Sequence, residues 1–140
     1  MSALLVSTSS LTAGRLLSIK TKMNMENQVT SIEQSRRLLE VGVPAEMASL
    51  VWTTVDDNKT VVERDLCLPE NIEGYAFTVA DLIDIIGEPE GYAFYVTKWD
   101  AGEDYAVELA GDNPLFFRNK RLIDSAFQMV ERLYEEGRIE

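Results

Sequence analysis

Histidine is absent from all 140 residues of this chain, and cysteine occurs once. Without an imidazole, Ser-His-Asp and Cys-His nucleophile systems, histidine-ligated zinc centres and histidine pH switches are excluded. A lone thiol, Cys67, leaves neither an intrachain disulfide nor a multi-cysteine zinc site, which fits a reducing compartment, so a cytoplasmic location is expected. Lacking a histidine to activate it, Cys67 reads as a small buried or half-buried hydrophobe. Of the common catalytic modes, paired-carboxylate chemistry is the one the composition still permits. Long apolar runs are missing too: nothing approaches the roughly 18 consecutive residues that span a bilayer, so no membrane association is expected. Hydrophobic residues make up 46% of the chain, enough at this length to enclose one core but hardly two.

Positive charge is scarce, with 13 Lys and Arg against 24 Asp and Glu and a net charge of −11. Residues 1–25 run the other way, holding Arg15, Lys20 and Lys22 with no acid, so the other 115 residues carry −14. This Ser- and Thr-rich stretch has the composition of an organellar transit peptide. A secretory signal fits less well, because no basic residue precedes its apolar part and Ser7 to Ser10 interrupt it. The favoured reading starts translation at Met23 or Met25, making residues 1–29 a disordered or dispensable leader before a single domain over 30–140.

Within that domain, Thr30 or Ser31 can cap a helix, with Glu33 or Gln34 completing a capping box. Gly42 stops it near Val41, with Val43 meeting Leu38 in a Schellman turn, and Pro44 opens a further short helix. Two β-rich runs in residues 51–66 flank Asp56-Asp57-Asn58-Lys59, predicting a hairpin, with an extended surface loop as the competitor. Thr78 opens another helix with Asp81 at its third position and Gly87 as its stop. A second hairpin turns at Asp100 to Glu103. Tyr105, Val107 and Leu109 alternate with Glu108 along its second strand, and Leu115 to Arg118 supply an edge strand. Last comes a long helix whose stripe of Leu122, Ala126, Val130 and Leu133, joined by Ile123 and Phe127, makes it the main lid, with Glu131 on the opposite face, Gly137 as stop and Ile139 folding back. The expected class is α+β: a small antiparallel sheet of one or two hairpins covered by about four helices.

Three segments, SIEQSRRLLEVGVPAEMA, YAFTVADLIDII and LIDSAFQMVERLYEEGRI, carry a resemblance. Glu33-Gln34-Ser35 with Leu39 to Gly42, Tyr75 to Val79 with Phe77 in the place of a tryptophan, and Glu136 to Ile139 resemble the signatures of a group of short uncharacterised proteins of Bacteroidetes-type bacteria, their phages and their integrating elements. The resemblance implies a genomic context of that kind and brings no catalytic residue with it.

Several residue groups can carry function. Asp81 and Asp84, three apart on a short helix with Glu88 and Glu90 following, have the spacing of an acid/base pair or a cation site, and equally of a solvated helix face. Asp100, Glu103 and Asp104 offer oxygen ligands near a glycine but lack EF-hand spacing, so an ordinary turn is expected. Trp52 and Trp99, beside turns, are interface anchors or packed cross-strand residues. Arg118, Lys120 and Arg121 form a basic cluster where the long helix begins, against its dipole, which suits an anion or an acidic surface. No P-loop, dinucleotide fingerprint, cofactor motif or metal site accompanies them. Direct nucleic-acid binding is disfavoured because phosphate repels a domain at −14. The sequence thus points to a small acidic non-enzymatic accessory protein that binds another protein and blocks a basic surface, and the resemblance implies a phage or mobile-element origin for it. An immunity or antitoxin-like inhibitor is a special case, and a carboxylate-dependent hydrolase or metal-dependent enzyme using Asp81 and Asp84 is the alternative.

Overall fold

A computed structural model of the chain describes residues 28–87, 92–99 and 104–139. The leader up to residue 27, Glu88, Glu90, Asp100 and Glu103 lie outside the described residues. Val29, the last residue assigned to the leader, is buried and forms a β-bridge to Thr78.

Helix α1, Ile32–Val41, starts where expected: Ser31 and Gln34 exchange both bonds of a capping box. Gly42, at φ 117°, then ends it, and the Val43 N–H donates to the Leu38 carbonyl at 3.0 Å, while both of those side chains are buried. Pro44 does not open a second α-helix. Ala45–Met47 is a single 3-10 turn, because Val43 and Ala48 are both sunk in the core and the chain must be extended by Leu50.

Strand β1, Leu50–Val55, and β2, Asn58–Glu63, form the first hairpin, closed by Asp56 and Asp57 at φ 51° and 66°, the doubly left-handed turn that matches strand twist. On the other edge of β1 lies β3, Gly74–Ala76, giving the order β2-β1-β3. Helix α2, Val79–Ile86, follows at once, capped by Thr78 and Asp81. Strands β4, Ala93–Trp99, β5, Asp104–Ala110, and β6, Leu115–Asn119, make a second antiparallel sheet. The chain closes on α3, Leu122–Glu135, whose Gly137 ends it in a second Schellman turn, with Arg138 N–H donating to Leu133 O at 2.8 Å and Ile139 packing on the core.

The architecture is α+β, but with two three-stranded sheets and, among the described residues, three α-helices where about four were expected over one sheet. Helix α3 packs on β5, β6, α2 and α1, so the main core lies between it and the second sheet, with Val107, Leu109, Leu82 and Phe77 opposite. A smaller cluster of Val29, Leu50, Val61 and Ala76 fills the first sheet. The lid is rotated from its expected setting. Ile123, Ala126, Met129, Val130 and Leu133 are buried, whereas Phe127 and Leu122 are only partly so. At 100° per residue the buried arc centres on Ala126, Met129 and Val130, which carries Phe127 to its edge. Glu131 is not idle on a free face: it accepts from Arg37 Nε at 2.7 Å, tying α3 to α1.

Candidate functional site

Trp52 is a structural residue. Paired with Val61 and Gly74 across the first sheet, it packs on the small core and donates its indole N–H to the Thr30 carbonyl at 3.0 Å. Trp99 ends β4 opposite Asp104. The three cations are brought close together, and each meets a carboxylate. Arg118 Nε donates to Asp104 Oδ2 at 2.9 Å, and Lys120 Nζ lies 3.3 Å from Asp104 Oδ1. The Arg118 hydrogen bond, reinforced by Lys120, holds the Asp104 carboxyl below the usual range. Arg121 donates twice to Asp124, each bond 3.1 Å. Burial pushes the Asp124 carboxyl up, yet Arg121 and Gln34 together hold it down. The positive charge at the start of α3 is therefore offset from within, and Asp124 in the first turn also satisfies the dipole. Lys120 and Arg121 still border a hollow of about 730 Å³ with Val79, Tyr105, Leu122 and Ile123.

Asp81 is occupied by structure. Its Oδ2 accepts from Thr78 N at 3.0 Å and Ser49 N at 2.9 Å, and its Oδ1 from Ser49 Oγ at 2.5 Å. A carboxylate with three donors pointed at it caps α2 and fastens the approach to β1, while Asp84 is exposed. Among the described residues no group of three or more Cys, Asp or Glu is placed to hold a metal ion. Cys67 is half-buried with its thiol 3.6 Å from the Leu68 carbonyl.

The surface that stands out was not among the sequence candidates. Between β2 and β3 the chain makes two 3-10 turns, Arg64–Leu66 and Pro69–Asn71, and this strap displays Leu66 at 77% and Leu68 at 60% exposure, the largest values among the exposed large hydrophobics. The strap is fastened at both ends. Arg64 donates to the Ala45 and Glu46 carbonyls at 3.0 Å each, Thr53 Oγ1 donates to Asn71 O at 2.8 Å, and Glu73 N–H donates to Trp52 O at 2.8 Å. Beside it runs a groove of about 370 Å³ between α1 and residues 69–75, with Ile32, Leu39, Pro69, Ile72 and Tyr75 as apolar walls. Gly74 sets the closeness of those walls, since a Cβ there would lie 3.3 Å from Ile32. Glu73, on the rim, is held below the usual carboxylate range by the Thr54 hydroxyl and Lys59.

Comparison with protein-family models, curated proteins and solved structures finds no match to this chain. Among the described residues, no helix is long and apolar enough to cross a membrane.

Proposed function

We propose that this protein is a small acidic, non-enzymatic accessory protein that works by binding another protein and covering a basic surface on it. One observation carries the reading: Leu66 and Leu68 are held out to solvent on a strap bonded to the fold at both ends. Burying a leucine side chain is worth about 1.5–3 kcal/mol, so a fixed pair in water is an unused binding free energy. The engagement of both Asp81 oxygens by Thr78 and Ser49 supports a binder over a carboxylate enzyme. An origin in a phage or integrating element is part of the same proposal and rests on the resemblance of the three segments.

The test is comparative capture from an extract of the native host. Wild type, Leu66→Ser/Leu68→Ser and Lys120→Ala/Arg121→Ala are immobilised after urea melts confirm that each is folded; the exposed leucines should shift stability by about 0.5 kcal/mol or less, and the second variant by somewhat more because it loses the ion pairs to Asp104 and Asp124. A protein held by wild type and the lysine/arginine variant but released by the leucine variant is expected. Capture that ignores the leucines and needs Lys120 and Arg121 would move the site to the hollow beside α3 and refute the strap.

A further inference from the structure

Charge is divided unequally within the fold. Residues 42–76, which build the first sheet and the strap, hold seven carboxylates against Lys59 and Arg64 alone. Both cations are already engaged, Lys59 with Glu73 at 3.0 Å and Arg64 with the Ala45 and Glu46 carbonyls. Glu63, Asp65 and Glu70, by contrast, are exposed and make no ion pair among the described residues. The described part of residues 92–139 is nearly balanced, with seven acids against six bases. The exposed leucines therefore sit in a segment with seven acids against two bases, beside carboxylates that make no ion pair among the described residues, and their surroundings favour a cationic partner.

We infer that the strap and its groove are the docking site for a cationic segment of another protein that carries one bulky aliphatic or aromatic side chain, an assignment that rests on the binding function proposed above. The bulky side chain enters the groove between Ile32 and Leu39 on α1 and Pro69, Ile72 and Tyr75 on the other wall, whose volume suits one such anchor. Leu66 and Leu68 cover the flanking apolar surface, and Lys or Arg residues beside the anchor lie over Glu63, Asp65 and Glu70. Arg36, exposed on the α1 wall, gives the site a direction, because it favours an acidic side chain or carbonyl at the far end of the segment. Because the strap is already bonded in place, little ordering entropy opposes docking. A second copy of this chain is the wrong occupant: a two-fold contact would set the same carboxylates against one another.

Fluorescence anisotropy with labelled 12-residue peptides tests this on the full chain. Three probes are used: one with a central tryptophan flanked by Arg and Lys, the same peptide with the tryptophan replaced by serine, and the tryptophan peptide flanked by glutamate. The first is expected to bind, to weaken about tenfold or more in Leu66→Ser/Leu68→Ser, and to lose most of its salt dependence in Glu63→Gln/Asp65→Asn/Glu70→Gln. Amide shifts in an NMR titration are expected to fall on residues 64–75 and α1. Equal binding of the glutamate-flanked peptide, binding unchanged by the strap variants, or no binding of any peptide overturns the inference. So does sedimentation showing self-association that the leucine variant abolishes. A host protein captured in a strap-dependent way alongside any of these results would leave the binding function standing and refute only the cationic-anchor chemistry.

Discussion

Replacing Asp81 with alanine should cost far more than its place on a short surface helix suggests. The carboxylate accepts from Thr78 N, closing the capping box of α2, and from both the amide and the hydroxyl of Ser49, which lies one residue before β1. Loss of a cap costs about 0.5–2 kcal/mol. A hydrogen bond to a charged acceptor contributes about 1.5–3 kcal/mol, and an amide left unpaired about 1–3 kcal/mol. Ser49 is exposed, so its freed groups can rehydrate and the lower ends apply. The expected total is about 2–4 kcal/mol, a large share of the 5–15 kcal/mol typical of a domain.

Asparagine separates charge from connectivity at the same site. Its carbonyl can replace Oδ2 and keep both amide donors, and its NH₂ can donate to the Ser49 hydroxyl, so Asp81→Asn should cost only about 1 kcal/mol. Ser49→Ala, which removes one donor, should cost a similar amount, and exposed Asp84→Ala should stay within about 0.5 kcal/mol. Urea melts of the four variants at constant m value measure this. An alanine variant within 1 kcal/mol of wild type, or an asparagine variant as damaged as alanine, would refute the bridging role and return Asp81 to the pool of groups free for chemistry.

Two further outcomes follow from the packing and the ion pairs. Met129→Ala, which empties a fully buried site, should cost about 2–5 kcal/mol, and Phe127→Ala at the edge of the lid clearly less; chemical denaturation in which Phe127 proves the more costly would mean that the helix is rotated from its described setting. For Asp124 the folded carboxyl titrates below its unfolded value, so its stabilisation is full above the unfolded range near pH 4 and fades as pH falls through the folded value. Asp124→Asn should therefore be destabilising at pH 7, with the gap to wild type closing as pH falls below the unfolded carboxylate range near pH 4. Taking the difference between the two proteins removes the opposing relief of repulsion among the other acids; a gap independent of pH would contradict the ion pair with Arg121.

What could be read from the chain alone was what is bonded locally. Ser31 with Gln34, Thr78 with Asp81, Gly42 with Val43 and the Asp56-Asp57 turn all close within five residues, and each stands as the residue types imply. The same side chains also do something no local pattern contains. Gln34 uses its carbonyl for the cap and its NH₂ for Asp124, 90 residues away, and Asp81 reaches back 32 residues to Ser49. Those second bonds tie α1 to α3 and α2 to the approach to β1, and they depend on a tertiary arrangement that periodicity cannot report. Pro44 misled for a related reason: it is a good first residue for a helix, but burial of Val43 and Ala48 on either side leaves space for a single turn.

The candidate site was hidden by a different mechanism. Tryptophans and clustered cations attract notice because of what those side chains can do, and here Trp52 is consumed internally by the Thr30 carbonyl and the cations by Asp104 and Asp124. The strap is defined instead by leucines that fail to be buried, and hydrophobicity in a sequence normally argues for the opposite. A faint signal did exist in Asp65-Leu66-Cys67-Leu68-Pro69-Glu70: the leucines follow neither a helical nor a sustained strand period, and a proline stops extension. In the described structure these two leucines stay largely in water. Arg64 and Thr53 bond the two ends of this segment to the fold, so the leucines are presented on a fastened strap and not on a loop free to collapse onto the groove, which is the feature the proposed binding function uses.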